Sequence, residues 1–138
     1  MKTGYFWKAL HEPDKDAKYI SISAGVQRGA EHLPVYDVLK PSWDIIRLAH
    51  ESNYSAESLI IYKGVYFAQL DRLDAQTVYN DLFEYTIVCG EAPKDLAAGK
   101  KYCHRRMIAG WIETRLGIVI HEEVRTKDIG LIVPAIFR

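Results

Sequence analysis

The sequence predicts one small α/β domain with a partly parallel sheet and flanking helices, in a Rossmann-like three-layer arrangement. Three observations support this fold. Residues 85–89 form a short apolar run rich in β-formers, and from residue 104 apolar residues recur at helical spacing. Residues 118–120 form another apolar run, which predicts a strand. A strand, a helix and a strand in this order form a βαβ unit, whose strands are parallel.

The elements before residue 85 are predicted from their local patterns. Residues 5–10 fit either a short strand or a helical turn. Residues 19–23 alternate apolar and polar side chains, which predicts a half-buried strand, the first of the sheet. Pro41 suits the first turn of a helix that reaches about residue 51.

Two further helices have recognisable starts. Ser55 can cap a helix in which apolar residues recur every three to four positions, and Asp74 can cap another that runs to about residue 82. Gly117 is a natural stop for the helix that begins at residue 104. The tail from 129 to 137 is apolar and broken by Pro134, which suits an edge strand, a packed tail or a contact between subunits.

Size and charge limit the classes of protein. The chain has 138 residues, 49% of them hydrophobic and 26% charged, so we expect one domain over residues 1–138. Lys plus Arg and Asp plus Glu number 18 each, so net charge gives no indication of nucleic-acid binding. The apolar runs are shorter than the ~20 residues of a membrane span, and we expect neither a signal peptide nor a membrane partner.

The two cysteines bear on the cellular compartment. Cys89 and Cys103 are too few for a disulfide framework, which favours free thiols and a cytoplasmic location. One Cys89–Cys103 bridge stays open as an alternative.

The predicted topology brings reactive and charged side chains to one edge of the sheet. Cys89 ends a strand, and residues 103–106 (Cys-His-Arg-Arg) open the helix that packs back on the same sheet. Both therefore lie at the carboxyl edge, where open α/β sheets bind ligands. The helix start and the side chains of Arg105 and Arg106 favour a phosphate-bearing or other anionic ligand, and these charges favour a thiolate.

Four residues are candidates for catalysis at this edge. Cys89 or Cys103 would be the nucleophile, and Glu91 or His104 would be the acid or base. The alternative for each cysteine is a small core residue, and for an arginine at a helix start it is a structural ion pair.

Other candidates would contribute to ligand binding. Ser21, Ser23 and Arg28 lie on or after the strand at residues 19–23, near small residues that loosely resemble a phosphate-binding loop. An ordinary turn is the alternative there. Tyr62 and Tyr66 share a helical face and could stack on a nucleobase, or simply fill the core.

Metal and phosphatase chemistry find less support. Cys89, Cys103, His104 and His121 have ligand types that suit zinc, but their spacing lacks a CxxC or HxxxH motif. Neither cysteine has an arginine six positions later, as a phosphatase loop requires. We therefore predict no metal and no cofactor.

The chain resembles the domain of unknown function 488 family. The matching features are Tyr-Thr-Ile-Val-Cys-Gly-Glu at 85–91, Cys-His-Arg-Arg at 103–106 with a tryptophan in the following helix, and Gly-Ile-Val at 117–119. The likeness covers residues 18–123, with a C-terminal extension at 124–138. It implies an α/β fold that gathers Cys89, Glu91 and residues 103–105 at one end of the sheet, and it implies no particular activity.

The sequence thus predicts an enzyme-like domain that binds a phosphate-bearing or other anionic ligand, with a nucleotide as one candidate, at the carboxyl edge. Two non-enzymatic alternatives stay open. One is a nucleic-acid or protein-binding module that uses Arg28, Arg105 and Arg106. The other is a structural subunit that self-associates through the tail at 129–137.

Overall fold

A four-stranded parallel sheet forms the centre of the molecule. The computed structural model describes residues 1–91, 95, 96, 101 and 103–125. Its strands are β1 (Lys2–Tyr5), β2 (Lys18–Ser21), β3 (Tyr85–Cys89) and β4 (His121–Glu122). Their spatial order is β2-β3-β1-β4, and every pairing is parallel. The predicted α/β class and the parallel sheet are confirmed.

The helices follow the order that the sequence predicts. They are α1 (Phe6–His11), a short 3-10 helix (Asp37–Leu39), α2 (Trp43–Glu51), α3 (Ala56–Asp71), α4 (Ala75–Leu82) and α5 (His104–Leu116). Ser55 Oγ accepts a hydrogen bond from the Ser58 amide at 3.1 Å, and Asp74 caps α4 in the same way. Gly117 ends α5 at a φ of 67°, in the left-handed region that favours glycine.

The sheet is covered on both faces. Side chains alternate along a strand, so Ile87 and Cys89 point to one face and Val88 to the other. Ile87 and Cys89 belong to the larger core beneath α2–α5, whereas Val88 packs with Phe6 of α1 and Ala30 in a smaller cluster. Two helical layers around one sheet give the three-layer arrangement that the sequence predicts.

The order of the strands reverses direction across the sheet after β2: β2 lies to one side of β1, and the following strands are placed progressively toward the other side. The connection from β1 to β2 crosses one face, and those from β2 to β3 and from β3 to β4 run the opposite way over the other face. Crossovers of one hand require this division between faces. The connections from the carboxyl ends of the neighbouring strands β1 and β3 therefore leave on opposite faces of the sheet, and open α/β sheets form a crevice where neighbouring connections do so.

Three of the predicted elements differ in the structure. Residues 5–10 are the last residue of β1 followed by α1, so β1 precedes the strand at 19–23 that we predicted to be the first. α2 begins at Trp43, after Pro41 and the N-cap residue Ser42. The strand predicted at 118–120 is wrong: the Ile120 amide donates to the Glu113 side chain at 2.7 Å, and pairing with β1 starts at His121.

The tail at 129–137, with its predicted role in self-association, lies outside the described residues. Within the part of the chain that the structure describes, none of the helices combines the length and apolarity of a membrane span.

Candidate functional site

Cys89 and Cys103 meet at the carboxyl edge of the sheet. Cys89 is the last residue of β3, Cys103 immediately precedes α5, and the structure joins them in a disulfide. The prediction of free thiols is therefore wrong for this state, because the crossover returns the start of α5 to the end of β3. The bridge that the sequence left open is the one observed. The cytoplasmic location inferred from free thiols stays a prediction.

Arg105 lies against both sulfur atoms. Its side chain is completely buried, and its Nη1 is 3.3 Å from Cys89 Sγ and 3.4 Å from Cys103 Sγ. The same nitrogen donates to the Glu91 carbonyl at 2.7 Å, and the guanidinium lies 5.8 Å from the Tyr5 ring centre. A permanent cation thus contacts the cysteine pair from inside the protein.

Glu122 binds Arg105 and Arg106 together. Its buried carboxylate accepts from Arg105 Nε at 3.0 Å and from Arg106 Nε and Nη2 at 3.1 and 2.7 Å. Burial raises the pKa of Glu122, but Arg106 and Arg105 outweigh that effect and leave the pKa below its ordinary value. These residues form an arginine–glutamate triad, whose two positive charges and one negative charge sum to +1.

His104 is held as a neutral ring. Its Nε2 lies 2.8 Å from the Ile22 carbonyl oxygen, which can only accept, so Nε2 carries the hydrogen. Burial and, to a smaller extent, the charge on Arg105 lower the pKa of His104 to about 4, although the hydrogen bond to the Ile22 carbonyl acts in the opposite direction. The edge of the Tyr66 ring packs against the imidazole at 5.6 Å between centres. A neutral ring with hydrogen on Nε2 leaves Nδ1 with a lone pair.

His104 also completes a compact set of metal-binding atoms. A ring nitrogen of His104 and the sulfurs of Cys89 and Cys103 all lie within 4.8 Å of one another. His121, the fourth residue in the zinc pattern considered above, is exposed on β4 and does not join this set.

A cavity of about 280 Å³ opens beside these residues, at the carboxyl ends of β2 and β3. Five of the residues predicted for the site line it: Ser23, Tyr62, Cys89, Glu91 and His104. The other walls come from the loop at 24–27 and from residues before and along α2, among them Trp43 and His50. Cys103 does not line the cavity, so Cys89 is the sulfur that a small molecule inside it would meet.

The remaining predicted site residues lie elsewhere. Tyr66 fills the core, where its hydroxyl donates to the Leu39 carbonyl at 2.6 Å, and Ser21 Oγ accepts from the Ser23 amide. Arg28 is exposed and does not line the cavity. Arg105 and Arg106 do not line it either, since they point to Glu122.

Sequence reasoning missed Glu122, Trp43, His50 and Tyr54. Glu122 is an isolated acidic residue, and it becomes recognisable only once β4 is placed beside β1. Trp43 and His50 sit on α2, whose ordinary amphipathic pattern carries no signal for a cavity, and Tyr54 lies in the turn between α2 and α3.

Comparison with protein-family models, with curated proteins and with solved structures found no match to this chain. The resemblance to the domain of unknown function 488 family therefore stays a prediction. The interpretation of the site rests on its geometry.

Proposed function

We propose that this domain carries out thiol–disulfide redox chemistry on a small molecule that enters the cavity beside Cys89. The observation that carries the proposal is the contact of Arg105 Nη1 with both sulfurs, at 3.3 and 3.4 Å, next to that cavity. The sequence predicted an anionic ligand at Arg105 and Arg106. Both arginines are paired with Glu122, so reaction at a sulfur is the better supported function of this edge.

Charge balance favours one thiolate in the reduced site. With the disulfide closed, the sulfurs are uncharged and the arginine–glutamate triad keeps its net charge of +1. A single thiolate at the cysteine pair would bring the buried cluster to neutrality. Burial raises the pKa of a thiol and a contacting cation lowers it. Since the cation here is itself buried and in hydrogen-bond contact, we expect the cation to prevail for the first thiol.

The two cysteines have different access. They are only 1% and 4% exposed, so a protein substrate cannot reach them on the surface. Cys89 lines the cavity and Cys103 does not. Cys89 is therefore the nucleophile in this proposal, and Cys103 is the residue that resolves the intermediate.

A hydroperoxide is the substrate class that fits a small cavity and yields the observed disulfide. The Cys89 thiolate attacks the terminal oxygen, an S–O bond forms as the O–O bond breaks, and the leaving alkoxide takes a proton from water to become an alcohol. Cys89 is then a sulfenic acid. The Cys103 sulfur attacks it, water leaves, and the disulfide forms. Two equivalents of a small external thiol then restore the dithiol and leave as their own disulfide.

Alkylation of the reduced chain with iodoacetamide at graded pH tests this proposal. We expect an apparent thiol pKa well below the free value of ~8.5. Arg105→Gln should move that pKa up by at least one unit, because the contacting charge is lost. Arg115→Gln is a matched control: Arg115 lies on the same helix, in an exposed ion pair with Asp71, and should leave the pKa unchanged.

Peroxide treatment supplies the second readout. A stoichiometric hydroperoxide should convert the reduced chain to the Cys89–Cys103 disulfide, and Cys103→Ser should accumulate a sulfenic acid at Cys89 that a dione reagent traps, located by mass spectrometry. Circular dichroism establishes that each variant is folded. An ordinary thiol pKa in the wild type, or no oxidation of Cys89 by peroxide, would overturn the proposal.

A further inference from the structure

We propose that the reduced form binds one thiophilic cation, Zn²⁺ or Cu⁺, through Cys89, Cys103 and His104. This inference uses the cysteine pair of the proposed function but does not depend on its reaction with peroxide. Thiolate sulfur and imidazole nitrogen are the donors that both ions prefer.

The spacing of the donors suits such an ion. Zinc lies ~2.3 Å from sulfur and ~2.0–2.1 Å from nitrogen, which puts tetrahedral donors roughly 3.5–4 Å apart. The three atoms lie within 4.8 Å of one another. The Cα atoms of Cys89 and Cys103 are 7.5 Å apart, against ~4.4–6.8 Å in most disulfides, so the backbone leaves room for an ion between two reduced sulfurs.

The hydrogen bond of His104 fixes the tautomer of its ring in the way found for metal-binding imidazoles. A ligating histidine donates its other N–H to a carbonyl or a carboxylate, which fixes its tautomer and orientation. Here Nε2 donates to the Ile22 carbonyl at 2.8 Å, and Nδ1 keeps the lone pair that a metal requires. His104 is buried, so the bound ion would be shielded from water on that side.

The charges around the site are compatible with either Cu⁺ or Zn²⁺. Two thiolates with Cu⁺ carry a charge of −1, which the net +1 of the arginine–glutamate triad cancels. Two thiolates with Zn²⁺ are neutral and leave a fourth position, which a hydroxide or a ligand from the cavity beside Cys89 would fill. Arg105 Nη1, which contacts both sulfurs, would stabilise the thiolates from outside the coordination sphere.

Competition with a chromogenic chelator tests the site. The full chain, reduced with a phosphine under anaerobic conditions, is titrated with Zn²⁺ in one arm and with Cu⁺ in the other. We expect one ion per chain in at least one arm, and no stoichiometric ion in the disulfide form. X-ray absorption at the metal edge should show two sulfur neighbours and one nitrogen neighbour from the protein.

Three substitutions locate the donors. Cys89→Ser, Cys103→Ser and His104→Gln should each weaken binding at least tenfold, and glutamine can still donate to the Ile22 carbonyl. His121→Ala is the matched control, because this histidine is exposed and lies outside the set. Circular dichroism separates loss of the ion from loss of the fold.

The outcomes separate this inference from the proposed function. If neither ion binds the reduced chain stoichiometrically, or if His104→Gln binds as tightly as His121→Ala, the metal site is refuted, whatever the peroxide assay shows. Oxidation of Cys89 by peroxide is measured with a chelator present, so that reaction is judged without the ion.

Discussion

Glu122 accepts hydrogen bonds from two arginines although its side chain has no contact with solvent. Buried ions are costly, and removing one partner leaves the others without compensation. The position of Arg105 against the cysteine pair therefore depends on a carboxylate from another strand. The sequence revealed the arginines as charges at a helix start, but their partner depends on how β4 meets β1, which no local pattern encodes.

Glu122→Gln should lower the free energy of unfolding by about 3–5 kcal/mol, because the buried guanidinium of Arg105 and the partly buried one of Arg106 both lose the counter-charge of Glu122. Urea unfolding measures the loss, and Glu84→Gln, in an exposed pair with Lys18, is the control that should change little.

The pH dependence separates charge from packing in the same experiment. The folded pKa of Glu122 lies below its unfolded value, so its contribution is present above about pH 4.5 and is lost as pH falls through the folded value. The difference between wild type and Glu122→Gln should shrink in that window. A difference that is independent of pH would contradict the electrostatic account.

At the scale of elements, local signals were sufficient for the ends of three helices and insufficient for β4. Ser55, Asp74 and Gly117 act on backbone groups a few residues away, so their patterns predicted where α3, α4 and α5 begin or end. β4 has only two residues, and its bounds are set by pairing with β1, far away in the sequence. The apolar run at 118–120 marked the approach to that strand and not the strand itself.

Gly117 and Gly64 offer a matched test of how local backbone conformation decides the effect of a substitution. A Cβ would meet no atom within 4 Å at either position, but Gly117 has a φ of +67° and Gly64 lies within α3. Gly117→Ala should destabilise the protein by about 1–2 kcal/mol, and Gly64→Ala should stabilise it by about 0.5–1 kcal/mol. Thermal unfolding with calorimetry measures both, and shifts of the same sign would contradict the argument.

At the scale of the molecule, a second buried cluster joins distant parts of the chain. Lys8 of α1 lies 2.8 Å from Asp14 and 3.3 Å from Glu123, just after β4, and the Tyr19 hydroxyl donates to Glu123 as well. Burial and the bond to Glu123 raise the pKa of Tyr19. The cluster holds α1 against the far side of the sheet from α5. No sequence pattern links Lys8 to a residue 115 positions later.

Lys8→Met should cost about 3 kcal/mol of unfolding free energy, because Glu123 would lose its only lysine partner among the described residues and stay buried. Lys18→Met is the control, since Lys18 is exposed and its ion pair with Glu84 lies at the surface. Urea unfolding of both variants measures the effect. Equal stability of the two would show that the buried pair contributes nothing.

The convergence of Cys89 and Cys103 was predictable because a βαβ crossover returns a helix start to a strand end. The cavity was predictable only in part: its place at the carboxyl edge follows from the topology, but the walls from α2 depend on how helices and strands pack against one another.

The strand order has a consequence for biosynthesis. β1 leaves the ribosome first, yet it lies between β3 and β4, so both of its edges stay unpaired until residues 85–122 have emerged. The sheet therefore cannot assemble around β1 until most of the chain has been synthesised. During translation the unpaired edges of β1 need shielding from pairing with other chains.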